Sequence, residues 1–220
     1  MRRLRRGRPG RIRILFFDLG GVCLTNGWDH EERRRAARHF ALDGAELERR
    51  HHDLAAAWER GEMSRQGYLT HVIFHRPRPF SRGEVVRWIE AQSRSVPEVL
   101  ALLQRLTERG GYRLATINNE SLELNRFRIT AFELRKYFTE FFSSCFLGVL
   151  KPDARIFRIA LQVTQSLARE SLLIDDRESN IAAARALGLQ TIHFQNPRQL
   201  ASALEAYGIL DAPRTTSKRS

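Results

Sequence analysis

The chain has 220 residues, 42% of them hydrophobic, enough to bury a core without covalent staples; its two cysteines, Cys23 and Cys145, lack CxxC spacing, so neither a disulfide scaffold nor a paired-cysteine metal site is expected. No apolar run reaches bilayer length and no apolar segment follows the basic start, which argues against a membrane span or a secretory signal and for a cytoplasmic protein. The net charge of +12 is unevenly spread: seven arginines in residues 1–13 and three basic residues in 213–220 leave only +2 on the body between them.

Residues 1–11 and 213–220 read as basic, disordered tails that offer RNA or anionic lipid only unspecific attraction. No specific nucleic-acid partner and no membrane is expected, and the pattern does not fix whether the chain is a monomer or a homodimer. Ile14-Leu15-Phe16-Phe17 is a buried-strand pattern that runs straight into a lone carboxylate, Asp18, and then into the low-bulk turn Gly20-Gly21. From Asp29 to about Glu90 the chain is charged and helix-like, with apolar residues three and four apart (Ala36, Ala37, Phe40; Leu54, Ala57, Trp58). Gly44, Gly61, Gly67 and Pro77-Arg78-Pro79 divide this stretch into short helices.

Beyond Pro97, helix and strand alternate. Val99, Leu102, Leu103 and Leu106 mark a helix face ended by Gly110-Gly111, and Tyr112 to Ile117 is a strand that reaches Asn118-Asn119. Phe141 to Phe146 reads as a short extended segment, and Pro152 as the first turn of a helix that buries Ile156, Phe157, Ala160 and Leu161. A strand over 171–175 ends in Asp175-Asp176, a helix over 179–187 closes at Gly188, and a strand over 191–194 precedes a helix over 197–207. This spacing predicts one mostly parallel sheet covered on both faces, with residues 12–26 and 97–208 as the α/β core and 27–96 as an inserted helical module.

Asp18, Asn118-Asn119, Lys151 and Asp175-Asp176 all fall at strand ends or helix starts. In an open parallel sheet the carboxyl ends of the strands line one crevice, so these distant groups can converge there. Clustered carboxylates repel unless a cation lies among them, and Mg²⁺ prefers oxygen ligands of this kind. The set is chemically coherent: carboxylates hold a metal, metal and lysine neutralise phosphate oxygens, and one carboxylate attacks phosphorus. Carboxylate attack on phosphate brings two anions together, so the cations are mechanistically required.

Phe17-Asp18-Leu19-Gly20-Gly21-Val22, Asn118-Asn119, Lys151-Pro152-Asp153 and Ile174-Asp175-Asp176-Arg177-Glu178-Ser179-Asn180, in that order, resemble the four motifs of the haloacid dehalogenase-like hydrolase superfamily. The resemblance covers roughly residues 12–208. It implies an α/β fold, a Rossmann-like open parallel sheet with an inserted α-helical cap, and a Mg²⁺-dependent phosphatase working through an aspartyl-phosphate. The subgroup most resembled is that of bacterial sugar-phosphate phosphatases, including those acting on α-glucose 1-phosphate, so the implied partner is a small phosphorylated metabolite. On this resemblance Asp18 is the nucleophile and a metal ligand, the Gly20 carbonyl and Asp176 complete the metal site, and Lys151 contacts phosphoryl group and nucleophile. Gly21, Asn119, Asp175 and Asn180 support the site, and Asn118 stands where the superfamily commonly has Ser or Thr, its amide expected to donate to a phosphoryl oxygen.

One departure carries a prediction. The superfamily usually has a second Asp two residues after the nucleophile, for general acid and base work, and here that position is Gly20. Such assistance is worth ~10²–10⁴ in rate, so substrates with good leaving groups are expected to be favoured unless water or a cap residue substitutes. Among residues of the insertion, His51-His52-Asp53 reads as charged surface because neighbours on a helix diverge, and His30 as a polar surface histidine near a hinge. Two other readings stay open. A 2-haloacid dehalogenase uses a similar Asp but no metal, and Asp175-Asp176 argues against it by repelling a carboxylate substrate; a catalytically weak binding protein is the other.

Overall fold

Ile14–Phe17 forms a strand, β1, whose four residues are all buried, because its alternating side chains meet helices on both faces of a sheet. The computed structural model describes residues 11–211; apart from Arg11, the basic tails expected from the sequence lie outside these residues. With β1, the strands β2 (Arg113–Asn118), β3 (Glu140–Ser143), β4 (Ser171–Asp175) and β5 (Gln190–His193) make a parallel sheet in the order β3-β2-β1-β4-β5. The described helices are α1 (His30–His39), α2 (Gly44–Glu59), α3 (Arg65–Val72), α4 (Arg82–Ala91) and α5 (Pro97–Arg109). They continue with α6 (Leu122–Ala131), the single turn α7 (Ser144–Leu147), α8 (Ala154–Val163), α9 (Glu178–Ala186) and α10 (Pro197–Ala206).

The period of two along β1 sorts the core into layers. Leu15 and Phe17 pack with Val99, Leu103 and Leu106 of α5 and Leu200 and Leu204 of α10. Ile14 and Phe16 face the other way, into Ile156 and Phe157 of α8 and Ile181 of α9. Helices α1 to α4, between β1 and β2, pack around a separate core built on Trp28, Ala36, Trp58, Tyr68, Val85 and Ile89, which Leu124 of α6 also enters. Each begins at a side chain that accepts a bond from its first-turn backbone: Asp29, Asp43, Ser64 and Ser81. Gly67 lies inside α3 rather than between helices, while Gly61, at φ +73°, makes the turn that ends α2.

The chain leaves and re-enters the sheet through two adjacent segments. Leu24 bridges Ser95, the Thr25 N–H donates to Arg94 O at 2.8 Å, and the Val96 N–H donates to Cys23 O at 2.9 Å. Two local expectations are corrected. The segment read as extended through Phe146 stops at Ser143 and turns into α7, closed by Gly148 in the left-handed region at φ +67°. Pro152 precedes the helix instead of opening it, because Asp153 is the cap whose side chain accepts from the Arg155 N–H. No described helix is long and apolar enough to cross a membrane.

Candidate active site

The registers of β1 with β2 and β4 bring Asp18, Asn118 and Asp175 to the same edge of the sheet. Lys151, on the loop before α8, reaches under that edge: its Nζ lies 2.9 Å from Asp18 Oδ2 and 2.7 Å from Asp175 Oδ2, and donates to Ile117 O at 2.9 Å. Its backbone is fixed by Asn119, which accepts from the Lys151 N–H at 2.8 Å and donates to Lys151 O at 2.9 Å. Asp175 is saturated, since Asn180 Nδ2 donates to both its oxygens at 2.9 and 3.1 Å and the Arg177 N–H donates to Oδ1 at 2.9 Å.

The charges are out of balance. Burial, opposed by Lys151 and reinforced by Asp175 and Asp176, raises Asp18 to about 7. Burial and then the charge of Asp175 also raise Asp176. Burial works against a charged Lys151, yet Asp18 and Asp175 hold its ammonium above the ordinary range. Asp18, Asp175 and Asp176 each offer an oxygen within 4.8 Å of the others, and Asp176 Oδ1 is buried without a hydrogen-bond partner. Space for Asp176 depends on Gly21, which sits at φ +77° where an added Cβ would lie 2.3 Å from Asp176 Oδ2. A hard divalent cation fits this donor set: it satisfies the orphaned oxygen and relieves the carboxylate repulsion.

Two cavities meet above these groups. The smaller, about 60 Å³, is lined by Asp18, Gly20, Asn26, Glu59, Asn119, Lys151, Arg177 and Asn180. The larger, about 420 Å³, shares Gly20, Asn26, Glu59, Asn119 and Arg177 with it and extends past Trp28, Asp29, His30, Arg33, His51, Trp58, Glu120 and Arg128. Asn118 is not on either wall. Its amide donates to Asn125 Oδ1 at 3.1 Å and its Oδ1 accepts from Ser143 Oγ at 2.9 Å, so the phosphoryl-facing role expected for it is corrected: Asn119, one residue on, faces the cavity.

The insertion contributes groups that the sequence reading passed over. The His51-His52-Asp53 trio is surface only in part: His51 Nδ1 lies 2.8 Å from the Tyr68 hydroxyl, which also accepts from Trp28 Nε1 at 2.7 Å. Burial and the nearby Arg33 lower His51 to about 4, so its ring is neutral at pH 7; with the Tyr68 hydroxyl accepting from Trp28 and donating to His51 Nδ1, the single ring proton belongs on Nε2. Trp58 stacks on Tyr68 at 3.8 Å between centroids, and its indole N–H is buried with no partner. Glu59, at the end of α2, is raised to about 7 by burial and the charge of Glu120, with Arg177 opposing. A signal existed: Leu47, His51, Leu54 and Trp58 recur at four, three and four residues, the inward stripe of α2.

Arg128 of α6, buried at 2% exposure, joins the insertion to the sheet. It donates from Nε to Ser93 Oγ at 3.0 Å and from Nη2 to Thr25 O at 3.0 Å, one bond to each connecting segment, and pairs with Glu120 at 2.9 Å.

A family model described as haloacid dehalogenase-like hydrolase matches residues 12–188. The glyceraldehyde 3-phosphate phosphatase of Pyrococcus abyssi is 35% identical over 106 residues, 48% of this chain and 44% of that protein. Mouse acyl-CoA dehydrogenase family member 10 is 39% identical over 72 residues, 33% of this chain and 7% of that protein. The matches thus span less than half the length of these curated relatives. Among solved structures, a HAD-like family hydrolase from Porphyromonas gingivalis superposes with a TM-score of 0.73 at 23% identity, over 89% of this chain and 97% of that one. A wild-type HAD family enzyme from Bacteroides thetaiotaomicron, in complex with magnesium and inorganic phosphate, gives a TM-score of 0.70 at 19% identity, over 84% of this chain and 95% of that one. At such identities the likeness is one of fold. The family match reaches from the strand that carries Asp18 to the glycine behind the helix of Asp175-Asp176, and the chain belongs to the haloacid dehalogenase-like hydrolases.

Proposed function

We propose that this hydrolase is a Mg²⁺-dependent phosphomonoesterase acting on a small phosphorylated metabolite through an aspartyl-phosphate on Asp18. The observation that carries this reading is the Asp18 carboxylate held 2.9 Å from the Lys151 ammonium on the wall of a small cavity, beside the unpartnered oxygen of Asp176. Asp18, Asp176 and the Gly20 carbonyl are the ligands we assign to Mg²⁺; Asp175 is excluded because each of its oxygens already accepts two hydrogen bonds, whereas each Asp18 oxygen has one partner. Mg²⁺ there would neutralise charge on the phosphoryl oxygens.

The chain's own groups divide the remaining work. Asp18 attacks phosphorus in line with the leaving oxygen, forming the mixed anhydride that water later cleaves. Lys151, positioned by Asp175, Asn119 and Ile117 O, pairs with a phosphoryl oxygen and keeps Asp18 in its attacking orientation. Asn180 holds Asp175, so its effect on turnover passes through Lys151. Residues 27–96 act as a cap domain over a core of 12–26 and 97–208, excluding water from the reacting groups. The outer cavity, lined by the polar side chains of Asn26, Asp29, His51 and Glu120 beside Trp28 and Trp58, suits a hydroxylated leaving group such as that of a sugar or triose phosphate. The named substrate of the Pyrococcus relative supports that class.

Phosphate release from a panel of small phosphorylated metabolites, with Mg²⁺ and with EDTA, tests the proposal. Release that requires Mg²⁺ and is strongest for sugar or triose phosphates supports it. No release from any member, or equal release in EDTA, rejects it.

A further inference from the structure

Breaking a phosphate ester leaves an electron pair on the leaving oxygen, and an alkoxide needs a proton at that moment. The junction where the small cavity around Asp18 opens into the larger one is where a leaving oxygen would lie. Five residues line both cavities: Gly20, Asn26, Glu59, Asn119 and Arg177. Glycine has no side chain, the two amides have no acidic proton, and arginine stays protonated. Glu59 alone of the five carries a carboxyl group.

Resting on the phosphatase reading above, we infer that Glu59 is the proton donor to the leaving oxygen and the base for the hydrolytic water. In the first step the Asp18 carboxylate forms a bond to phosphorus, the bond from phosphorus to the ester oxygen breaks, and the departing oxygen takes the Glu59 proton. In the second, water attacks phosphorus while Glu59 carboxylate removes its proton; the bond to Asp18 breaks and its electron pair returns to the aspartate. Both carboxyl groups end as they began.

Three features set Glu59 up for this. Its backbone is docked on the sheet domain: Ser144 Oγ of α7 donates to Glu59 O at 2.7 Å, and Gly61 packs so closely that an added Cβ would lie 2.4 Å from Cys145 O. It is the last residue of α2, where the helix dipole disfavours a negative charge. Burial and Glu120 raise it to about 7, so acid and base forms are both available at neutral pH. The other candidates are weaker. Glu120 is committed to Arg128 and the Ser121 N–H, and His30, 3.4 Å from Glu48, lines the outer cavity but not the inner one.

The test compares Glu59→Gln with the wild type on 4-nitrophenyl phosphate, whose leaving group needs no proton, and on a simple alkyl phosphate. The variant is expected to lose ~10²-fold or more in kcat/KM on the alkyl ester and less than ~3-fold on the aryl ester. Its affinity for inorganic phosphate with Mg²⁺ is expected to stay within ~3-fold of the wild type. Adding Gly20→Asp should restore part of the alkyl activity. Gly20, unlike Gly21, is outside the left-handed region, and its added Cβ would press only the Asn26 side-chain end, at 2.9 Å. Equal losses on both esters, or none on either, would remove Glu59 from the role while the phosphatase reading stands. A wild type inactive on both esters brings down that reading and this one together. If the variant does not fold, the wild type decides: alkyl and aryl rates within ~10-fold mean a donor is present, and an alkyl rate more than ~10³-fold lower means none is.

Discussion

Lys151 places one buried ammonium 2.9 Å from Asp18 and 2.7 Å from Asp175, so a single cation ties together the acids that end β1 and β4. Asp175 is spent on this task, and Asp18 keeps an edge toward the cavity. Hydrogen bonding sets the three neighbouring acids apart: Asp175 holds Lys151, Asp18 lines the cavity, and Asp176 retains an unpartnered oxygen.

Replacing Lys151 by Met leaves two buried carboxylates without their cation. Urea unfolding at pH 7.5 in EDTA should show a loss of about 3–5 kcal/mol. Turnover should fall with it, and Mg²⁺ should restore part of the stability but not the rate. An unchanged unfolding midpoint would mean the pair contributes nothing.

The two glycines after Asp18 should behave differently. Gly21→Ala forces a side chain into the left-handed region and onto Asp176, so calorimetric titration should show Mg²⁺ affinity reduced ~10-fold or more. Gly20→Ala presses the end of the Asn26 side chain at 2.9 Å, touches Arg128 at 3.6 Å and reaches no atom of Asp176, so it should bind Mg²⁺ within ~3-fold of the wild type. Equal effects of the two changes would disconnect Gly21 from the metal.

Much of this was legible in the sequence because a parallel sheet collects strand ends. The apolar runs before Asp18 and Asp175 were long enough to read as buried strands, and the crevice beyond them followed from the fold class. Asn118 was misread because its neighbours in space, Asn125 and Ser143, come from α6 and β3, and a polar pocket assembled from three elements leaves no local periodicity. The α7 turn was hidden because Cys145 and Phe146 suit a strand by composition, while the glycine cap that ends the turn shows only in its backbone angle. Glu59 and His51 were masked by the surrounding charge of α2, although the inward stripe of that helix passes through Leu47, His51, Leu54 and Trp58.

Arg128 and Glu120 offer a double-mutant cycle. Arg128→Met strands a buried carboxylate and releases both connecting segments, at a cost of about 3–5 kcal/mol. Glu120→Gln added to it should recover part of that loss. Additive costs would show that the two residues do not couple.

Glu59 should leave a pH signature with a defined sign. Its folded value of about 7 lies above the ordinary 4.5, so its contribution to stability is fully present below pH 4.5 and is lost as pH rises through 7. Glu59→Gln abolishes that dependence and should be the more stable protein at pH 8, by on the order of 1–3 kcal/mol, with the two converging near pH 5. The charges acting on Glu59 are Glu120, Arg177, Arg33 and Lys151. In the same series the wild type should lose kcat/KM on alkyl phosphates as pH rises through 7. Identical stability profiles would show that Glu59 titrates as an ordinary exposed acid.

The covalent step on Asp18 is the centre of the account. The protein is mixed with Mg²⁺ and an excess of a substrate it hydrolyses, quenched in acid during turnover, digested, and examined by mass spectrometry. A phosphoryl group should appear on the peptide that contains Asp18, be lost on brief exposure to base as an acyl phosphate is, and be absent from Asp18→Asn, whose turnover should fall ~10³-fold or more. Steady turnover with no phosphoryl group on that peptide, together with an active Asp18→Asn, would contradict it.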